Sequence, residues 1–307
     1  MADEEKKEEE KKEPLAEFKF SGVKDDYIFF ESAKNAMFDA IESIEARFYH
    51  ASNNANRLDT GIHCLEFDNG NLIVLAARPS IGKTSFLLSL CKQLTVDKGI
   101  PVGLINTGTI DSATLGKRLI SLHCGVPMCK IRNAILKVSD LKKIEESGSK
   151  LFEAPFYFKI EPNCSFNDFV LAAESMLDEK PLKLIIIDDF EYFEEIMDAE
   201  KEDYRFELEK LMDSIKKFAV EHNIPIILGM TLPSESEESP DLLDFRKNLV
   251  IPYKADMVLF LHRDRLKEDV KVCNARLNIA KNVSGPSYEF PLKFYPATSL
   301  FEENKDN

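Results

Sequence analysis

The sequence of 307 residues lacks several features that would narrow its class at once. No apolar run approaches the roughly 18 residues that a membrane-spanning helix needs, and the N-terminus carries no hydrophobic stretch of a secretory signal. Membrane and secreted classes are set aside, and a soluble cytoplasmic chain is expected. The six cysteines (Cys64, Cys91, Cys124, Cys129, Cys164 and Cys273) form no CxxC pair. His123 lies beside Cys124 and near Cys129, but two thiols and one imidazole at that spacing match no common zinc pattern; the thiols read as small, reduced core residues. Excess positive charge is missing too, since 40 Lys and Arg against 54 Asp and Glu leave a net −14. Nucleic-acid affinity rests on cations that neutralise phosphates, so such a role needs a local basic stripe. No internal repeat is visible.

What is present is the makeup of a globular chain, 44% hydrophobic and 31% charged, long enough for one large α/β domain or two small ones. Residues 1–13 (MADEEKKEEEKKE) hold nothing to bury and read, with the linker up to 26, as a disordered charged tail. Phe30, Ala33, Met37, Ile41, Ile44 and Phe48 then recur at helical spacing, which predicts an amphipathic helix within 27–50. Its apolar face needs a surface to pack on, either its own domain or a neighbouring chain.

From about 55 to 302 strand-like and helix-like stretches alternate. Strands are expected at 71–76, 102–106, 156–160, 182–187, 225–230, 257–261, 275–280 and 288–294. Helices are expected at 83–97, 111–124, 166–178 and 204–222. That order predicts an α/β domain with a mostly parallel twisted sheet, helices on both faces and a strand-rich C-terminal end.

Two motifs carry chemistry. Ala77-Arg78-Pro79-Ser80-Ile81-Gly82-Lys83-Thr84 sits between a buried strand and a helix, the context of a phosphate-binding Walker A loop. There the backbone N–H groups and the helix N-terminus attract phosphate, Lys83 reaches the β- and γ-phosphates, and Thr84 reaches Mg²⁺. Ala77 stands where the general pattern has Gly. About a hundred residues later, Leu184-Ile-Ile-Ile-Asp188-Asp189 ends a buried strand in an acid, a Walker B arrangement in which Asp188 holds Mg²⁺. ATP and Mg²⁺ are the cofactors these motifs imply.

The stretch Leu75–Thr84, with its Ala-Arg-Pro-Ser, resembles the P-loop of the DnaB-type replicative helicases. Gly125–Arg132, Asp244-Phe-Arg246, Ala255-Asp256 with Val258–Asp264, and Ile279–Asn282 with Gly285-Pro286 resemble further stretches of that family, in order, over about 28–300. The resemblance implies a RecA-like P-loop domain and places the 30–48 helix where the family has a linker helix that docks on the adjacent subunit of a ring. It leaves only about 27 residues where the family has a helical N-terminal domain.

The same resemblance exposes departures. The family's catalytic Glu, which activates the attacking water, falls at Gly108 or Thr109. Its γ-phosphate-sensing Gln falls at Thr231 and its arginine finger at Val283, while the accompanying Lys is present as Lys281. An arginine finger contributes about 10³–10⁵ in rate in related enzymes. Asp111, the nearest carboxylate, reads as a helix N-cap. The stretches that line the family's DNA channel, 189–203 and 233–241, are acidic and would repel a phosphate backbone, leaving Arg263, Arg265, Lys267 and Lys271 as another path.

Three functions are open on these grounds. One is a pseudo-helicase that binds ATP–Mg with weak or no hydrolysis and serves as a scaffold or assembly module. Another is a divergent active helicase using Asp189 or Glu191 as substitute base. The last is a nucleotide-independent assembly protein, joined through the 30–48 helix and Arg263 or Lys281. All three imply an oligomer or protein partner and no membrane.

Overall fold

The computed structural model describes residues 57–305, apart from 201–202, 234–238, 246–247 and 265–269, together with seven positions between 33 and 44. The chain divides into two units, residues 1–53 and 54–307. In the first, Ala33, Met37, Phe38, Ala40, Ile41, Glu42 and Ile44 are helical and exposed. The charged tail, the linker to 26, and Phe30 and Phe48 of the expected apolar stripe lie outside the described residues.

The second unit is built on a nine-stranded sheet. In chain order its strands are β3 (Leu72–Ala77), β4 (Val102–Asn106), β5 (Phe156–Ile160), β6 (Leu184–Asp188), β7 (Ile226–Thr231), β8 (Met257–Arg263), β9 (Cys273–Asn282), β10 (Glu289–Tyr295) and β11 (Leu300–Glu303). A separate hairpin precedes them, β1 (Arg57–Asp59) against β2 (Glu66–Asp68). The spatial order is β11-β10-β9-β8-β3-β7-β6-β4-β5, parallel from β8 to β5 and antiparallel from β8 to β11. A parallel sheet ending in antiparallel strands is what the alternation of elements predicts.

The central strands are apolar on both faces because both are covered. β3, β4 and β6 are buried at every position. Alternation divides each strand between two cores: Ile73, Leu75 and Ala77 join one, Leu72, Val74 and Ala76 the other. On the first face lie α1 (Lys83–Lys92), through Phe86, Leu87 and Leu90, and α2 (Ser112–Cys124), through Leu115, Leu119 and Leu122. The second face is covered by α5 (Phe166–Glu179) and by α7 (Tyr204–Glu221), whose stripe of Leu208, Leu211, Met212, Ile215, Phe218 and Ala219 is buried as its spacing predicts. Each such side chain stabilises the fold by about 1.5–3 kcal/mol on burial.

Differences from the expected elements have local causes. The helix expected over 83–97 is α-helical only to Lys92, and Gln93–Asp97 continues as a π-helical turn. A helix of 16 residues, α4 (Val138–Glu153), follows the short α3 (Met128–Arg132). Val138, Leu141, Ile144 and Leu151 recur there at helical spacing, but Ser147 and Gly148 interrupt the stripe, Val138 and Leu141 stay exposed, and only Ser147 is buried. Strand β11 is too short to show a pattern, yet it matters for the site. The Phe301 N–H donates to Ser89 Oγ of α1 at 3.0 Å, and the Phe301 ring packs against Phe86 and Phe294.

Candidate nucleotide site

The loop after β3 and the end of β6 face each other across β7, which lies between the two strands. Lys83 opens α1, and its buried ammonium donates to Asp188 Oδ1 at 2.7 Å and to Asp189 Oδ1 at 2.6 Å. Gly229 of β7 makes this crossing possible. A Cβ there would stand 3.0 Å from Asp188 Oδ1 and 3.2 Å from Leu87. Any larger residue would push the carboxylate off the helix that presents Lys83.

The Asp188 carboxylate is almost fully buried and spends its other oxygen on hydroxyl and amide donors. Oδ2 accepts from Thr84 Oγ1 at 2.7 Å and from Asn106 Nδ2 at 3.2 Å. Burial by itself would depress the Lys83 pKa, but the charges of Asp188 and Asp189 outweigh it and raise the pKa above the ordinary lysine value. Lys83 is therefore an ammonium in the folded protein.

The loop's backbone is shaped by two left-handed residues, Ser80 at φ 64° and Gly82 at φ 112°. At Gly82 a side chain is excluded twice, by that φ and by the Phe301 ring, 3.1 Å from where a Cβ would sit. Arg263, at the end of β8, grips the outside of the turn. Its Nε donates to the Ile81 carbonyl at 2.7 Å and its Nη2 to the Ser80 carbonyl at 2.6 Å, with the guanidinium 5.1 Å from the Phe294 ring centre. A trans peptide sets a carbonyl and the next N–H on opposite sides, so pulling the Ile81 carbonyl toward Arg263 aims the Gly82 N–H away from it, along the helix N-terminus.

The remaining candidates separate. Ala77 closes β3, fully buried, and its carbonyl accepts from the Leu232 N–H at 2.8 Å. Pro79 and Ser80 form the exposed crest of the loop. Arg78 is turned away from it: Nη1 donates to the Pro233 carbonyl at 2.8 Å and Nη2 to Asp244 at 3.0 and 3.3 Å, tying the loop after β7 to the turn Leu242–Phe245. Lys281 lies, within its own chain, at the far end of the sheet from the loop. It pairs with Val258 near the start of β8, whereas the loop follows Ala77, which pairs with Leu261 farther along that strand. Its ammonium donates to the carbonyls of Pro252, Tyr253 and Ala255, closing the C-terminal end of α8 (Val250–Lys254). Val283 is exposed at the same far end.

Gly108 and Thr109 follow β4 and Thr231 ends β7, so none of these three positions offers an acid or an amide. Thr109 is exposed on the loop, while Gly108 lies against Asp189, whose Oδ2 occupies the space of a Cβ at 108. Asp189 itself is left-handed, with φ 65°, and its carbonyl accepts from Thr107 Oγ1. Two residues on, Glu191 Oε1 accepts from the Thr231 N–H at 3.1 Å; burial raises the Glu191 pKa, and its Oε2 is buried without a hydrogen-bond partner among the described residues. Asp111 does cap α2, accepting from the Thr114 N–H at 2.8 Å.

Over 190–197 the acidic stretch after β6 is built of short helical turns. It forms a 3₁₀ turn, Phe190–Tyr192, and a short helix, α6 (Glu194–Met197), anchored by buried Phe190, Phe193 and Ile196. Of the second acidic stretch, 234–238 lie outside the described residues, as do Arg265 and Lys267. Arg263 is committed to the loop.

Residues 53–303 match the DnaB-like helicase C terminal domain family. The chain belongs to that family. It is 29% identical over 279 residues to the replicative DNA helicase DnaB of Treponema pallidum (strain Nichols), which covers 89% of this chain and 61% of that protein. To a probable plasmid replicative DNA helicase of Chlamydia psittaci it is 26% identical over 295 residues, covering 91% and 64%. The chain thus spans less than two thirds of the length of these relatives. Among solved structures, one of a DnaB-like replicative helicase and its interactions with primase superposes with a TM-score of 0.75 at 22% identity, covering 90% of this chain and 68% of that one. Another, of an ATPase domain, gives 0.73 at 21%, covering 89% and 99%. The DnaB-like assignment and the RecA-like fold agree with the P-loop and Walker B stretches from which they were expected.

Asn106, Gly229 and Arg263 are the parts of the site that sequence reasoning missed. Gly229 left a signal, a lone Gly inside an apolar strand, which marks close approach of another group. Asn106 and Arg263 left none, because their partners are far away in sequence. The donor set suits Mg²⁺ and a polyphosphate: one buried carboxylate, one hydroxyl, one ammonium, and a loop whose Gly82 has no room for a side chain. Thr84 and Asp188 would hold the metal, and Lys83 with the loop N–H groups the phosphates. No helix among the described residues is long and apolar enough to cross a membrane.

Proposed function

We propose that this DnaB-like domain binds Mg²⁺–ATP and that binding, rather than rapid turnover, is its task. The observation that supports this reading is the convergence of Lys83 and Thr84 on the Asp188 carboxylate, each at 2.7 Å, on elements fixed by two buried cores. Turnover is weak because three groups that accelerate it are missing: Gly108 and Thr231 stand at the strand ends, and Val283 at the finger position. The domain acts as a nucleotide-dependent pseudo-helicase scaffold in the cytoplasm. It assembles with copies of itself or with another protein, and nucleotide stabilises it by mass action. DNA contact is weak, since Glu191, Glu194, Glu195, Asp198 and Glu200 follow β6 without an intervening cation.

Titration calorimetry with Mg²⁺–ATP, set beside steady-state hydrolysis with and without single-stranded DNA, tests this. Micromolar binding lost in Lys83→Ala, with slow and DNA-indifferent turnover, is expected. An absence of Mg²⁺–ATP binding, or strong DNA stimulation, overturns it. A second reading, a divergent helicase with relocated catalytic groups, draws on Asp189 and Glu191, which bring two carboxyl groups to the site from one turn.

A further inference from the structure

The ends of β4 and β7 flank β6 in the sheet, and each has lost the side chain the family pattern expects. The turn after β6 reaches both. Asp189 places its carboxylate over Gly108, at the end of β4, and Glu191 takes the Thr231 N–H, at the end of β7. We infer that the Asp189 carboxylate stands in for the missing water-activating glutamate, and that residue 108 is glycine because this carboxylate fills its side-chain space. The inference rests on the Mg²⁺–ATP-binding reading and names the group through which the remaining slow hydrolysis runs.

Three observations point the same way. Asp189 adopts a left-handed backbone, a conformation that Asp takes more readily than most residues with a side chain. Thr107 imposes it here, its hydroxyl donating to the Asp189 carbonyl and its N–H to the Asp188 carbonyl at 3.1 Å. The carboxylate so placed is partly open to solvent, with 22% of the side chain exposed, unlike the buried Asp188. Water therefore has access to it. Its Oδ1 lies 2.6 Å from Lys83, so a polyphosphate that recruited this ammonium would release the Asp189 carboxylate as an acceptor. In the step, the water oxygen bonds to the γ-phosphorus, the bond to the β–γ bridging oxygen breaks with its electron pair leaving on ADP, and Asp189 accepts the proton lost by the water.

The packing half of the inference is testable without turnover. Gly108→Ala should lower the melting temperature of the full chain by several degrees, and the same change in an Asp189→Gly background should lower it by less than half as much. An equal cost in both backgrounds overturns the shared-space claim. The chemical half uses single-turnover hydrolysis with protein in excess over labelled ATP, with Mg²⁺–ATP affinity measured on the same samples. Asp189→Asn should hydrolyse at least tenfold more slowly while its affinity stays within threefold of the parent. Parental rates in Asp189→Asn, or a parent that binds Mg²⁺–ATP and never hydrolyses it, overturn the role. A parent that does not bind Mg²⁺–ATP instead removes the binding reading, and the melting comparison still decides the packing.

Discussion

Lys83 and Lys281 both stand in motifs that suggest a nucleotide contact, and the fold gives them opposite work. Lys83 lies at the C-terminal end of the parallel strands, buried between two carboxylates. Lys281 lies at the other end of the sheet and spends its charge on three backbone carbonyls that end α8. The first is a cation paired with two carboxylates, the second a cation spent on a helix C-terminus. A lysine's motif therefore says less about its role than the end of the strand it occupies.

Lys83→Ala is expected to separate the two ends most sharply. It should abolish Mg²⁺–ATP binding in calorimetry, and it leaves the buried Asp188 without its countercharge, a loss of about 3–5 kcal/mol in urea unfolding. Stability equal to that of the parent would show that the ion pair contributes nothing before nucleotide arrives. Arg263→Ala comes next. It removes the clamp on the Ser80 and Ile81 carbonyls, and Mg²⁺–ATP affinity should fall about tenfold, or about 1.4 kcal/mol. Unchanged affinity would mean that the loop holds its shape without Arg263. Lys281→Ala should do the reverse, with affinity within twofold of the parent and stability lower by about 1 kcal/mol from the uncapped carbonyls.

The smallest effect concerns Glu191. Burial raises its folded pKa above the ordinary carboxylate value, so its ionised form costs stability. For a carboxyl with a raised pKa the folded state binds the proton more tightly. Its contribution therefore becomes more favourable as pH falls from the raised value toward the ordinary one, and less favourable as pH climbs back. Glu191→Gln removes that titration. Melting temperature measured between those two pH values should depend less on pH in the variant, and at neutral pH the variant should be at least as stable as the parent. A steeper pH dependence in Glu191→Gln would reverse the assigned direction.

Much of the fold was legible because its signals are local. The continuous apolar runs of β3, β4 and β6, the helical stripe of α7 and the Asp111 cap are written in spacings of four residues or fewer. The loop from Ala77 to Thr84 was legible for the same reason. Helix α4 was not, although Val138, Leu141, Ile144 and Leu151 recur at helical spacing, because Ser147 and Gly148 interrupt that stripe. Nor was Arg78, whose place in the loop suggests phosphate while its guanidinium is bound to Asp244, distant in sequence and adjacent in space.

By itself the sequence determined the class of this domain, the residues whose chemistry suits phosphate and metal, and the absence of glutamate, glutamine and arginine from three positions. Those are statements about residue type at a spacing, and spacing is what local backbone geometry preserves. Only the tertiary structure decided that Asp188 reaches Lys83 over Gly229, that Asp189 stands in the space of residue 108, that Arg263 braces the loop, and that Lys281 faces away. Each of these depends on which strands lie side by side. The sheet sets that order by burying apolar faces, which attract without regard to the particular polar groups they bring together.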